Sequence, residues 1–117
     1  MDRETLRASI RGKIDSPDIG FPKKPNSARA AAVLIPFVDN GDSLTILLTQ
    51  RSHRLKDHPG QISFPGGSVD DDDGSPAETA IRETYEELGI KPEKVEVWGA
   101  LEPFETGTGF YVSPMLG

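Results

Sequence analysis

One helix in this chain is bounded at both ends by residues that leave little choice. Ser75 is a preferred N-cap, Pro76 fits the first helical position, and Glu78 completes a capping box. Gly89 supplies the left-handed residue on which helices end, and Pro92 blocks an early restart. The pattern predicts a helix over residues 76–88. Laid out at about 100° per residue, Ala77, Ala80, Ile81, Thr84 and Leu88 fall on one face, the expected core face. Glu83, Glu86 and Glu87 cluster beside it, at spacings of three and four, so their carboxylates enter one patch.

A solvated acidic face is the ordinary reading of such a cluster, but helix physics resists this one. Like charges at these spacings repel by about 0.2–0.5 kcal/mol per pair. The glutamates also sit in the last turns, at the negative end of the helix dipole. A bound divalent cation would relieve both penalties, and an all-oxygen donor set suits Mg²⁺ or Mn²⁺ better than zinc.

The rest of the chain reads as one α/β domain with a lead-in. Leu6, Ile10 and Ile14 recur at spacing four, which predicts a short amphipathic helix. Pro17, Pro22 and Pro25 make residues 16–27 irregular. Residues 30–38 read as a buried strand, Asn40-Gly41 as a hairpin turn, and residues 44–49 as the return strand. Residues 50–60 are polar, basic and aperiodic, the pattern of a functional loop. Pro65-Gly66-Gly67 reads as a sharp turn, residues 95–101 as a strand, and residues 110–112 as the start of another. Trp98 and the phenylalanines are expected in the core. The domain boundaries expected are 1–27 for the lead-in and 28–117 for the catalytic-type domain.

Charge is divided unevenly. Residues 1–69 carry +3 and residues 70–117 carry −9, for a net −6 in 117 residues. An acidic chain is a poor generic nucleic-acid binder, but a basic half can hold an anionic substrate while an acidic half holds cations. There is no cysteine, which excludes a thiolate zinc site or a cysteine nucleophile. No apolar run approaches the roughly 20 residues of a membrane span, so a cytoplasmic protein without a membrane partner is expected.

Arg82-Glu83-Thr84-Tyr85-Glu86-Glu87-Leu88-Gly89-Ile90, preceded by Gly66-Gly67 and an acidic loop, resembles the Nudix box of the Nudix hydrolases. Asp73 stands where that box has Glu, and eight residues rather than seven separate it from Arg82. Upstream, Leu47-Leu48-Thr49-Gln50-Arg51-Ser52, Lys56, Gly60 and Phe64-Pro65-Gly66-Gly67 resemble the additional signature of the coenzyme A pyrophosphatase branch, with Lys56 in place of its usual Arg.

The resemblance implies a Nudix fold, an α/β/α sandwich in which the box helix packs on a mixed sheet. It implies metal-dependent hydrolysis of the diphosphate of coenzyme A or acyl-CoA, giving adenosine 3′,5′-bisphosphate and 4′-phosphopantetheine. ADP-ribose or another nucleoside diphosphate conjugate is the alternative substrate, and a non-catalytic nucleotide-binding module the alternative class. Glu83, Glu86 and Glu87 would hold Mg²⁺ or Mn²⁺, with Arg82 holding them in place. Arg51, Ser52, Lys56, Gly66 and Gly67 would meet the substrate, and the general base would be a box glutamate, Glu102 or Glu105. Arg54 belongs to the same basic loop; His53 and His58 read as loop residues, and residues 70–73 as a solvated loop in which Asp70 or Asp73 could touch metal.

The fold so implied has a second helix on the other sheet face, which would lie past residue 117. The expectation is therefore an incomplete domain with exposed apolar residues in the 30–38 stretch, helped by pairing with another chain, as in a homodimer.

Overall fold

The computed structural model of the chain describes residues 2–41, 43–50 and 61–117. Helix α1 (Arg3–Ile10) leads into irregular chain, then into β1 (Arg29–Ile35), β2 (Phe37–Asp39), β3 (Leu44–Ile46), β4 (Thr49–Gln50), β5 (Ile62–Ser63) and β6 (Gly66–Ser68). Helix α2 (Pro76–Leu88) and a 3₁₀ turn at Pro92–Lys94 follow, then β7 (Gly99–Ala100), β8 (Phe104–Glu105) and β9 (Phe110–Leu116).

Strand β1 is the centre of a mixed sheet. It pairs antiparallel with β6, with Ala32 opposite Gly67, and parallel with β9 from Arg29 opposite Phe110 to Ile35 opposite Leu116. The other edge of β9 carries β7 and β8, both antiparallel. Alternation along β1 puts Ala32 and Leu34 under α2, where they form the core with Ala80, Ala100 and Met115. The small side chains of Ala32 and Ala80 let helix and sheet approach closely. Thr84, fully buried, turns its hydroxyl back to the Ala80 carbonyl at 2.7 Å, so it needs no partner in the core.

Helix α2 has the bounds its caps predict. The Ser75 side chain accepts from the Glu78 amide, and Gly89 closes the helix at φ +71° by donating its N–H to the Tyr85 carbonyl. Its buried face is turned from the one expected: Pro76, Thr79, Ala80 and Thr84 are buried, whereas Ala77, Ile81 and Leu88 are half-buried. The turn brings the Thr79 side of the helix down onto the acidic loop.

Several other expectations are corrected. The strand expected over residues 30–38 is two strands, because Pro36 has no N–H to donate to a ladder. The return strand likewise divides into β3 and β4; the Asn40-Gly41 hairpin itself is present, joining Phe37–Asp39 to Leu44–Ile46 in register. Ile14 lies beyond α1, which ends at Ile10. Residues 95–101 yield only the two-residue β7 behind the 3₁₀ turn, and β8 is an additional strand that no sequence pattern marks. Gly66 and Gly67 are in an extended strand rather than a turn. Trp98 is buried as expected, but Phe37, Phe64 and Phe110 are only half-buried and Phe21 and Phe104 are exposed. Within the 30–38 stretch Ala31 is buried, Ala30, Val33 and Ile35 are half-buried, and the exposed apolar residue is Val38. Pairing on both edges and the small volume of alanine account for that cover.

The N-terminal segment is stitched to the far edge of the sheet. Asp15 and Ala100 exchange both backbone hydrogen bonds, at 2.9 and 3.0 Å, which occupies the open edge of β7. Arg3 sits 4.7 Å over the Trp98 ring, which stacks on Phe37.

Candidate active site

The site is assembled where β6, the acidic loop and α2 meet. Gly67 lies opposite Ala32, so it shares the sheet face that α2 covers. A Cβ on Gly67 would stand 2.7 Å from the Glu83 carboxyl carbon and 2.9 Å from both its oxygens. A side chain there would push the Glu83 carboxylate aside, so glycine keeps that carboxylate in place, and its backbone angles play no part. Gly66 is constrained by the sheet itself: a Cβ would collide with the Ala32 carbonyl and stand 2.6 Å from Val33 Cγ1.

Arg82 organises the carboxylates. Its Nε donates to Asp73 Oδ1 at 3.1 Å and its Nη2 to Asp73 Oδ2 at 3.0 Å, a two-pronged pair. Nη2 also reaches the Ser68 carbonyl at 3.0 Å, tying the helix to β6. That leaves Nη1 for Glu83 Oε1 at 3.0 Å and for both Glu86 carboxylate oxygens at 3.3 Å. Glu83 and Glu86 therefore converge on one cationic nitrogen. Glu83 is 18% exposed and Glu86 54% exposed, so the pair runs from the sheet contact out to solvent. Glu87, on the same helix, is exposed.

Asp73 is the buried member, with a side chain 6% exposed. It also accepts from the Asp70 amide at 2.8 Å and the Thr79 hydroxyl at 2.9 Å. The Arg82 guanidinium is the main reason its carboxyl is held down to about 2; the Asp70 and Thr79 hydrogen bonds add to this against the opposing effect of burial. Arg82 is shifted upward in turn, first by Asp73 and then by Glu83 and Glu86. Asp73 is thus an internal anchor, not part of a solvated loop. Its one-residue displacement along the sequence is absorbed by the loop, and the shorter aspartate still reaches Arg82. Thr79 went unnoticed in the sequence because its partner is not a helical neighbour.

Arg51, Ser52, His53, Arg54, Lys56 and His58 lie outside the described residues. Glu102 and Glu105 are exposed. Glu105 is in β8, and β9 and β1 separate it from the Gly67 strand, about 14 Å at the usual strand spacing. Among the described residues no three His, Cys, Asp or Glu side chains are drawn together tightly enough to hold a metal ion as they stand. The donor chemistry nevertheless suits a hard divalent cation: Glu83 and Glu86 already share one cationic partner, and their donor atoms are all carboxylate oxygens. No described helix is long and apolar enough to cross a membrane.

Known proteins share both the sequence and the fold. The NUDIX domain family model matches residues 28–115. The uncharacterized Nudix hydrolase NudL of Citrobacter koseri is 53% identical over 89 residues, covering 76% of this chain and 46% of that protein. The NudL of Klebsiella aerogenes is 47% identical over 93 residues, covering 80% and 77%. The chain spans about half the length of the Citrobacter koseri relative. Among solved structures, the Ap4A hydrolase of C. elegans in a binary complex superimposes with a TM-score of 0.61 at 26% identity, over 74% of this chain and 62% of that one. A MutT/nudix family protein of Enterococcus faecalis gives 0.63 at 18% identity over 100% and 49%, a likeness of fold. With the box arginine, its carboxylates and the glycine beneath them in place, and a family match over most of its length, the chain belongs to the Nudix family.

Proposed function

We propose that this chain hydrolyses the diphosphate of coenzyme A or an acyl-CoA, yielding adenosine 3′,5′-bisphosphate and 4′-phosphopantetheine or its acyl derivative. The observation that carries the diphosphate chemistry is the convergence of Glu83 and Glu86 on Arg82 Nη1, beside a glycine with no room for a side chain. The coenzyme A assignment is supported by the resemblance of residues 47–67 to the signature of that branch.

Mg²⁺ or Mn²⁺, when bound, neutralises phosphate oxygens and lowers the pKa of an attacking water. Glu83, Glu86 and Glu87 would hold the ion. Arg82, fixed by Asp73, keeps Glu83 and Glu86 turned toward a shared point. Gly67 lets β6 lie against Glu83. The distance across the sheet counts against Glu105 as base and favours a box glutamate. Arg51, Ser52 and Lys56 are proposed to meet the anionic groups of the substrate.

A second reading, a nucleoside diphosphate conjugate such as ADP-ribose, is favoured by the likeness to an Ap4A hydrolase. Turnover of coenzyme A, 3′-dephospho-coenzyme A, ADP-ribose and diadenosine tetraphosphate, each with Mg²⁺ and Mn²⁺, separates the two. Coenzyme A should lead in kcat/KM by about tenfold, the worth of one charge-assisted contact to its 3′-phosphate. Equal or better use of ADP-ribose or diadenosine tetraphosphate favours the second reading, and tight binding of one of them without turnover favours a binding module.

A further inference from the structure

We infer that Thr79 is a positioning residue for the carboxylate cluster, acting through Asp73 and Arg82. The inference rests on the diphosphatase reading of the same site, and concerns a residue that none of the box positions includes.

Thr79 is fully buried on the first turns of α2. Its hydroxyl donates to Asp73 Oδ2 at 2.9 Å, with the Ser75 carbonyl further away at 3.4 Å. Thr79 and Arg82 are three residues apart, so both side chains leave the same face of the helix and meet the same carboxylate. Asp73 Oδ2 takes three donors, the Asp70 amide, the Thr79 hydroxyl and Arg82 Nη2, while Oδ1 takes Arg82 Nε. The carboxylate is therefore fixed from the loop, from the helix and from the guanidinium at once. Because Nε and Nη2 are both committed to Asp73, the direction of Nη1 is set, and with it the point on which Glu83 and Glu86 converge.

Removing the Thr79 hydroxyl leaves Asp73 held by the Asp70 amide and Arg82 alone, with no donor from the first turns of the helix to fix its angle to the guanidinium. The effect should pass down the relay to two groups that Thr79 does not touch. The length of the acidic loop gives this device a purpose: Asp73 has a shorter side chain than the family's glutamate and one more residue between it and Arg82. A donor from the helix fixes a carboxylate that the longer loop would otherwise hold less firmly.

The test uses Thr79→Val, which keeps the buried volume and removes the donor, and Thr79→Ser, which restores it. Outer partners of metal-holding side chains typically change metal affinity or activity by about 10–100-fold. Thr79→Val should weaken Mn²⁺ binding, measured by electron paramagnetic resonance without substrate, by about tenfold. It should lower kcat for coenzyme A by a similar factor with KM within about twofold. In metal-free protein the Arg82 Nε–H proton should exchange with solvent faster. Thr79→Ser should return all three toward wild type. Thr79→Ala removes the same donor without added bulk and is read the same way if the valine variant does not fold. A lowered melting temperature with unchanged Mn²⁺ affinity and unchanged Arg82 exchange would show a merely structural hydroxyl and overturn the inference. If wild type cleaves none of the diphosphates, the proposed activity fails, and the Mn²⁺ and exchange measurements still decide the role of Thr79.

Discussion

The two helices of this chain are attached by different physics. Helix α1 has no buried residue; Asp2 caps it through the Thr5 amide, and it is held by side chains reaching outward. Arg3 lies over Trp98 and donates to the Phe37 carbonyl, and Arg7 pairs with Glu96 at 3.0 Å. Helix α2 buries four residues and is bolted to the loop and to β6 by one arginine. The first attachment can be trimmed one contact at a time. In the second, the groups that hold the helix also aim the carboxylates, so stability and chemistry are expected to fail together there and separately at α1.

The largest effect should come from Arg82→Ala, which leaves the Asp73 carboxylate buried without its partner. A loss of about 3 kcal/mol is expected, on the order of 10 °C in melting temperature for a domain of this size. Adding Asp73→Asn should recover more than about 1 kcal/mol, and purely additive losses would mean that the pair is not coupled.

Acid titration sharpens the same point. The carboxyl of Asp73 is depressed from 3.8 to about 2. Its contribution is therefore fully present above about pH 4 and is lost as pH falls through about 2. The stability gap between wild type and Asp73→Asn should close over that window, and a gap independent of pH would remove Asp73 ionisation from the account.

The glycines of β6 give a smaller, split result. Gly66→Ala presses on backbone, where nothing can yield cheaply, and should cost about 1–3 kcal/mol. Gly67→Ala presses on the end of a glutamate side chain that can swing away. It should lower turnover more than it lowers the melting temperature; the reverse pattern would contradict the placement of Glu83.

Helix α1 should respond least. Arg3→Ala should cost about 1 kcal/mol through the lost contact with Trp98. Arg7→Ala, at an exposed ion pair, should cost about 0.5 kcal/mol or less. Calorimetry on both, with kcat unchanged, would confirm that this attachment stands apart from the chemistry.

What was legible in the sequence follows the same division. The bounds of α2 could be read because its signals are local: Ser75, Pro76 and Gly89 each act within one turn. The meeting of Glu83 and Glu86 could be read because helical spacing is rigid. The roles of Gly66 and Gly67 could not, since the atoms that exclude a side chain belong to β1 and to Glu83. Strands β7 and β8 exist through their pairing with β9, not through any alternation of their own. Asp73 looked solvated among four consecutive aspartates; only the folded loop shows which one turns inward. Thr79 carries no signal beyond being a polar residue near the core face of a helix.

Glu83, held between Gly67 and Arg82, is proposed to serve the diphosphate reaction and not only the fold. Glu83→Gln keeps the side-chain length and an oxygen that can accept from Arg82 Nη1. The decisive measurement is turnover of coenzyme A by the pure variant and by wild type at saturating Mn²⁺. The kcat should fall by about 100-fold or more, the scale of lost charge stabilisation at a reacting centre, with KM within about threefold and little change in melting temperature. Wild-type kcat in the variant would contradict this role.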